Sequence, residues 1–250
     1  MPAALEIRNL SCRFGGLVAT NNLSLCVEPG TRHALIGPNG AGKTTLVNLL
    51  TGVLQPSGGQ VFLAGEEITS LSRHARVARG LVRTFQINQL FASFTPRESL
   101  VLALCQSSVQ GGQMWHATRG LAALQARAAD LLHSFGLTPD ADRKVSILPY
   151  GKQRLLEIAL ALACGPHVLL LDEPAAGVPE HERHSILSAL AQLPNDMTIV
   201  LIEHDMDLVF AFADRITVLV NGAVFADGSA ASIAQDARVR AVYLGEAANV

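Results

Sequence analysis

The stretch that most constrains this chain runs from residue 37 to residue 45, Gly37-Pro38-Asn39-Gly40-Ala41-Gly42-Lys43-Thr44-Thr45. It lies between the apolar run His33-Ala34-Leu35-Ile36 and the helix-like Leu46-Val47-Asn48-Leu49-Leu50. This is the pattern G-x-x-x-x-G-K-[ST] in the setting it needs, a strand before and a helix after. The glycines let consecutive backbone N–H groups turn inward without a Cβ clash. With the positive end of the following helix, those donors form a seat for phosphate. In such a seat Lys43 reaches the β- and γ-phosphates and the Thr44 hydroxyl binds Mg²⁺.

The 250 residues, 49% hydrophobic, can bury a large core as one sizeable domain or a core with a subdomain. A formal net charge of -2 gives no general pull toward nucleic acid or anionic lipid, although a local basic patch is compatible with it. No run approaches the roughly 20 apolar residues that span a bilayer, and Met1 to Glu6 lacks the charged and apolar regions of a leader, so a cytosolic chain is expected. Cys12, Cys26, Cys105 and Cys164 are far apart, in no metal-binding or redox spacing, and are expected to be reduced apolar fillers.

Residues 5 to 14, 23 to 27 and 31 to 36 read as short strands, with Leu23, Leu25 and Val27 alternating as a half-buried antiparallel strand does. Phe14, ahead of Gly15-Gly16, suits either a core or a ring that stacks on a nucleotide base. A helix over 43 to 52 and a strand over 60 to 64 follow, with a turn at Gln55-Pro56-Ser57-Gly58-Gly59 between them. Arg73, Arg76 and Arg79, on a helix over 72 to 79, read as a solvated face. Leu81 to Phe85 runs as a strand into Gln86. The apolar but aperiodic 87 to 94 is either a surface that expects a partner or a loop tucked onto its own core.

Helices are expected over 96 to 106 and 115 to 135, the second presenting Leu121, Leu124, Ala128, Leu131, Leu132 and Phe135 at helical spacing. Residues 91 to 150 thus interrupt the alternation of strand and helix as a mostly helical insertion. Alternation resumes with helix 151 to 163, the apolar strand 168 to 171 ending in Asp172-Glu173-Pro174, helix 180 to 192, and the apolar strand 198 to 202 ending in Glu203-His204-Asp205. Unbroken apolar runs suit strands buried on both faces of a parallel sheet, where chemistry collects at the carboxyl ends. A hairpin over 214 to 228 turns at Asn221-Gly222.

Two carboxylates complete the chemistry. Mg²⁺ needs a hard oxygen ligand opposite Thr44, and Asp172 fits that role, while adjacent Glu173 is placed to accept a proton from an attacking water.

Taken in order, Phe14, the loop 37 to 45, Gln86, Leu148-Pro149-Tyr150-Gly151-Lys152-Gln153, Leu171-Asp172-Glu173-Pro174 and His204 resemble the ATP-binding cassette, or ABC, ATPases over essentially the whole chain. The resemblance implies an α/β fold: a RecA-like phosphate-loop ATPase core (1 to 90 and 151 to 250) with an N-terminal antiparallel β subdomain, and a helical signature subdomain (91 to 150). It implies ATP and Mg²⁺ as ligands. Phe14, Gly37, Pro38, Asn39, Gly40, Ala41, Gly42, Lys43, Thr44, Thr45, Tyr150 and Gly151 would bind nucleotide; Thr44, Gln86 and Asp172 would hold the metal; Glu173, His204 and Gln86 would be catalytic. Two cassettes of this family dimerise head to tail. The helix opened by Gly151 would then face the γ-phosphate of the partner's nucleotide.

The signature departs from Leu-Ser-Gly-Gly-Gln, with Pro149 for the serine, Tyr150 for the first glycine and Lys152 for the glutamine. Those departures, Arg83-Thr84-Phe85-Gln86, Ala175-Ala176-Gly177 and the ending Ala241 to Glu246 make the chain similar to the LivG-type subunits of branched-chain amino acid importers. Implied partners are transmembrane permeases docking on 87 to 94, a second ATPase subunit (a like copy or a LivF-type sister) and, indirectly, a periplasmic or extracellular solute-binding protein, with the chain peripheral on the inner face of the plasma membrane. Urea or short amides are an alternative cargo. A soluble ABC protein acting on DNA or ribosomes would show a heptad run or a second phosphate loop, and neither is present, so no nucleic-acid partner is expected. A small-molecule kinase or GTPase would not carry the signature and His204.

Overall fold

The computed structural model describes residues 2–84, 90–109 and 117–244. Two sheets organise them. The first is antiparallel and four-stranded, in the order β2-β1-β4-β5, from β1 (Leu5–Phe14), β2 (Leu17–Val27), β4 (Gly58–Leu63) and β5 (Glu66–Glu67). In β1 the buried side chains are Leu5 and Ile7, then Leu10 and Cys12. Asn9, at φ 50°, accounts for the change from odd to even, because the register against β2 shifts between Ile7 and Leu10. A bulge of this kind adds one residue and turns the following side chains to the other face.

The second sheet is six-stranded, in the order β10-β9-β3-β8-β7-β6, from β3 (Arg32–Ile36), β6 (Leu81–Arg83), β7 (Val168–Asp172), β8 (Thr198–Ile202), β9 (Arg215–Val220) and β10 (Ala223–Ser229). Strands β9, β3, β8, β7 and β6 run parallel, and only β10 is antiparallel to its neighbour. Residue 36 therefore ends a strand of the parallel sheet and not of the N-terminal one. β8 is buried throughout, as its unbroken apolar run requires. The hairpin β9–β10 turns at Asn221 and Gly222, with φ of 50° and 76°, the paired left-handed conformations of a tight two-residue turn.

Helix α1 (Lys43–Leu50) is sandwiched between the sheets, and its Leu46, Val47, Leu49 and Leu50 share one core with Leu5, Leu10 and Val61 on one side and Leu35, Leu170 and Val200 on the other. Burying each such side chain contributes about 1.5–3 kcal/mol. The opposite face of the parallel sheet is covered by α3 (Pro96–Val109), α4 (Ala117–Ser134), α5 (Tyr150–Ala163) and α6 (Glu180–Ala191) through Leu100, Leu132, Leu156 and Ile186. Helices α7 (Met206–Phe212), α8 (Ala230–Gln235) and α9 (Ala237–Leu244) close the β9 end around Val209, Ile233 and Val239.

Three expectations are corrected. Arg76, in α2 (Arg73–Ala78), is buried rather than on a solvated face. Its guanidinium donates to the carbonyls of Leu49 and Leu50 at 2.6 Å each, Thr69 at 2.7 Å and Leu71 at 3.0 Å, so it satisfies the last carbonyls of α1 that the helix leaves open. Leu121 is 47% exposed, because the first turns of α4 extend past the core that Ala128 and Leu132 reach. Cys26 is exposed on β2 and fills nothing, while Cys12 is buried as expected.

Candidate functional site

Three neighbouring strands deliver the site. In the order β3, β8 and β7, their carboxyl ends lead into the 37–45 loop, into Glu203-His204, and into Asp172-Glu173. The loop needs its glycines for different reasons. Gly40 and Gly42 are left-handed, at φ 77° and 97°, and a Cβ at Gly42 would run into the Ala19 carbonyl and Gly222. The close approach brings the β1–β2 hairpin against the loop, and Gly222 N–H donates to the Ala41 carbonyl at 3.0 Å while Asn21 N–H donates to the Gly222 carbonyl at 2.9 Å. Phe14, at the tip of that hairpin, is 48% exposed, which a core phenylalanine would not be.

Lys43 opens α1 and turns its ammonium back over the loop, donating to the Gly37 carbonyl at 2.5 Å and the Pro38 carbonyl at 3.1 Å. Thr44 is exposed one residue on, and Thr45 half-buried. Asp172 is paired with Arg83 of β6, whose other guanidinium nitrogen donates to the Asn48 side chain of α1 at 3.0 Å. Asn48 was not singled out from sequence, and Arg83 entered only as part of the Arg83-Thr84-Phe85-Gln86 run, with no role of its own.

Among the described residues no cluster of three His, Cys, Asp or Glu side chains could hold a metal ion. Thr44 and Asp172 supply hard oxygens, a donor set that suits Mg²⁺, which keeps waters and substrate phosphates as its remaining ligands. Gln86 lies outside the described residues.

Glu173 has a φ of 46°, an uncommon conformation for a residue with a side chain. Its carboxylate is 3.8 Å from His204 Nδ1, and both side chains are open to solvent. Glu203, by contrast, is 1% exposed. Burial pushes its carboxyl up while its oxygens accept from the N–H groups of His204 at 3.0 Å and Ala175 at 3.3 Å. It stands immediately before His204, and its position after an apolar strand was the available signal.

Tyr150 and Gly151 open α5, with Pro149 as the capping residue. The Tyr150 hydroxyl donates to the Ala176 carbonyl at 3.3 Å, and the Gly151 N–H is taken by the Glu182 carboxylate of α6 at 2.7 Å. Deeper in α5, Arg154 and Glu157 form a buried ion pair at 2.7 Å. Burial pushes the Glu157 carboxyl up to about 7, the Arg154 guanidinium acting against it.

The family model described as ABC transporter matches residues 20–176. The chain is 42% identical over 250 residues to the high-affinity branched-chain amino acid transport ATP-binding protein BraF of Pseudomonas aeruginosa, covering 97% of this chain and 98% of the relative. It is 42% identical over the same shares to the protein of that description named LivG in Escherichia coli. The fold superposes on a nucleotide-free ATP-binding cassette from an ABC transporter with a TM-score of 0.82 at 29% identity, covering 96% of this chain and 98% of that one. A cassette in its ADP conformation gives a TM-score of 0.82 at 29% identity over 98% and 100% of the two chains. The chain belongs to the ABC transporter family.

Proposed function

We propose that this chain binds and hydrolyses ATP as a subunit of an importer that moves branched-chain or other hydrophobic amino acids through separate transmembrane permeases. The observation that carries the reading is the meeting, on three adjacent strand ends, of the 37–45 loop, the Asp172-Glu173 pair and His204. The 42% identity to BraF and LivG over nearly the whole of each chain supports the cargo class.

On this reading Gly37, Asn39, Gly40, Ala41, Gly42 and Thr45 line the phosphate seat with backbone donors, Pro38 shapes the loop without donating, and Lys43 exchanges its loop carbonyls for the β- and γ-phosphates. Phe14 stacks on the base. Thr44, Gln86 and Asp172 hold Mg²⁺, which when bound neutralises charge on the phosphates. Glu173 takes the proton of the attacking water, with Gln86 and His204 beside the γ-phosphate. Tyr150 and Gly151 serve the nucleotide of a second subunit, either another copy or a LivF-type sister, and the mostly helical 91–150 segment leads into that signature.

Among the described residues no helix is long and apolar enough to cross a membrane, which agrees with a chain held at the inner face of the plasma membrane by its permeases. Of the docking segment, 87–89 lie outside the described residues. Phe91 is 59% exposed with its ring centroid 5.1 Å from that of Phe94, an apolar pair suited to receiving a short permease helix.

The test is Glu173→Gln, which keeps shape and removes the base. ATP binding should stay within about three-fold of the parent while turnover falls roughly a hundred-fold or more. Hydrolysis at the parent rate would remove Glu173 from the role.

A further inference from the structure

The strained turn at Glu173 is held by a side chain from a different element. Arg154 of α5 is 5% exposed, and its planar guanidinium addresses three consecutive carbonyls. Nε donates to Pro174 at 3.0 Å and Nη2 to Asp172 at 3.0 Å, and Nη2 also donates to the carbonyl of Glu173 itself. Nη1 is anchored on Glu157, which is 1% exposed, at 2.7 Å. From the opposite side, Ile202 accepts the Glu173 N–H at 2.9 Å and Glu203 accepts the Ala175 N–H at 3.3 Å. A left-handed non-glycine residue persists only where its surroundings over-determine it, and here the carbonyls of Asp172, Glu173 and Pro174 all accept from one guanidinium.

We propose that Arg154 is the positioning residue for Glu173, fixing its carbonyl and those on either side so that its carboxylate stays beside His204. The inference rests on the reading of Glu173 as the base. Arg154 lies three residues along α5 from Gly151, so the first turn of that helix carries the group that holds the Glu173 turn. Hydrogen bonds thereby connect the signature end of the chain to its Asp172–Pro174 turn. A lysine cannot replace this arginine, because an ammonium lacks the fork that reaches several carbonyls in one plane.

The experiment compares Arg154→Lys, the double variant Arg154→Met/Glu157→Leu, and Glu173→Gln in the full chain. The double variant removes both buried charges together, which preserves folds where removing one does not. Expected for both Arg154 variants is a kcat lower by roughly ten- to a hundred-fold with KM for ATP within about two-fold of the parent. Without nucleotide, amide hydrogen exchange across residues 172–176 should be faster by about ten-fold.

A folded Arg154 variant with parent kcat overturns the proposal. So does a loss of kcat with unchanged exchange, and so does failure of both variants to fold, which would make Arg154 a folding residue only. If Glu173→Gln hydrolyses at the parent rate, the assignment of the base fails instead, and parent-like exchange in the Arg154 variants then separates the two failures.

Discussion

Replacing Arg76 by methionine tests how the two sheets are joined around α1. Methionine keeps most of the apolar stem and removes every donor. The Leu49 carbonyl keeps Gly52 N–H as a partner at 3.3 Å, so the groups left short are the carbonyls of Leu50, Thr69 and Leu71. An acceptor stranded in this way costs about 1 kcal/mol, which makes about 3 kcal/mol for the three. Part of that is returned, because burial of the guanidinium already disfavours its charged form and lowers its pKa. A net destabilisation of about 2 kcal/mol follows, and for a chain of this size a melting midpoint lower by about 4–8 °C. Urea and thermal unfolding, followed by circular dichroism, read it directly. The control is Arg79→Met, which breaks the exposed pair with Glu66 and a 3.2 Å hydrogen bond to the Ala75 carbonyl of its own helix, and should stay within about 0.5 kcal/mol of the parent. If Arg76→Met unfolds with Arg79→Met, the guanidinium is not what caps α1 and the reasoning fails.

His33 is fully buried in β3, and its Nε2 lies 2.7 Å from Thr217 Oγ1. Thr217 Oγ1 in turn donates to Asp227 at 2.8 Å, so the ring is assigned as neutral with the proton on Nε2. Burial pushes its pKa down to about 4 from an ordinary 6.5. Because the unfolded chain takes up a proton that the folded ring refuses, this contribution is complete above pH 6.5 and is lost as pH falls toward 4. It amounts to about 3 kcal/mol, at 1.4 kcal/mol for each pKa unit. Against the parent, His33→Leu should show a flatter fall in urea midpoint from pH 7 to pH 4.5, and parallel curves would refute the assignment. Phe91→Asp with Phe94→Asp should leave ATP turnover of the isolated chain near the parent and abolish co-purification with the permeases; recovery at parental yield would place docking elsewhere.

The parts of the fold that repeat a local rule were readable in the sequence. The apolar runs at 168–171 and 198–202 could only be strands buried on both faces, and they are. Asn221-Gly222 named its own turn. The nucleotide loop was legible because glycine, lysine and threonine at fixed spacing have few other uses. Arg76, Arg154 and Glu203 were not legible, and the reason is common to all three. A charged residue on a helix or strand end reads locally as solvated, and whether it is buried depends on backbone carbonyls and amides brought up by distant segments. Arg76 meets carbonyls 27 residues upstream, and Arg154 meets one 20 residues downstream.

The same distinction bears on how the two halves of the site relate. The resemblance has the helix opened by Gly151 face a partner's γ-phosphate, and in the folded chain the Gly151 N–H already has a carboxylate acceptor in Glu182. A phosphate presented by another subunit would compete with that carboxylate for the same donor, and both are anions drawn to a helix N-terminus. Tyr150 leans on Ala176 in the segment that follows Glu173, and Arg154 grips the turn before it. Hence the first turns of α5 and the segment from Glu173 to Ala176 are tied within one chain by Tyr150 and Arg154, and on the proposed reading these are the two faces that serve different nucleotides. If Gly151 exchanges Glu182 for such a phosphate, the Arg154 hydrogen bonds connect that exchange to the Glu173 turn through α5 itself.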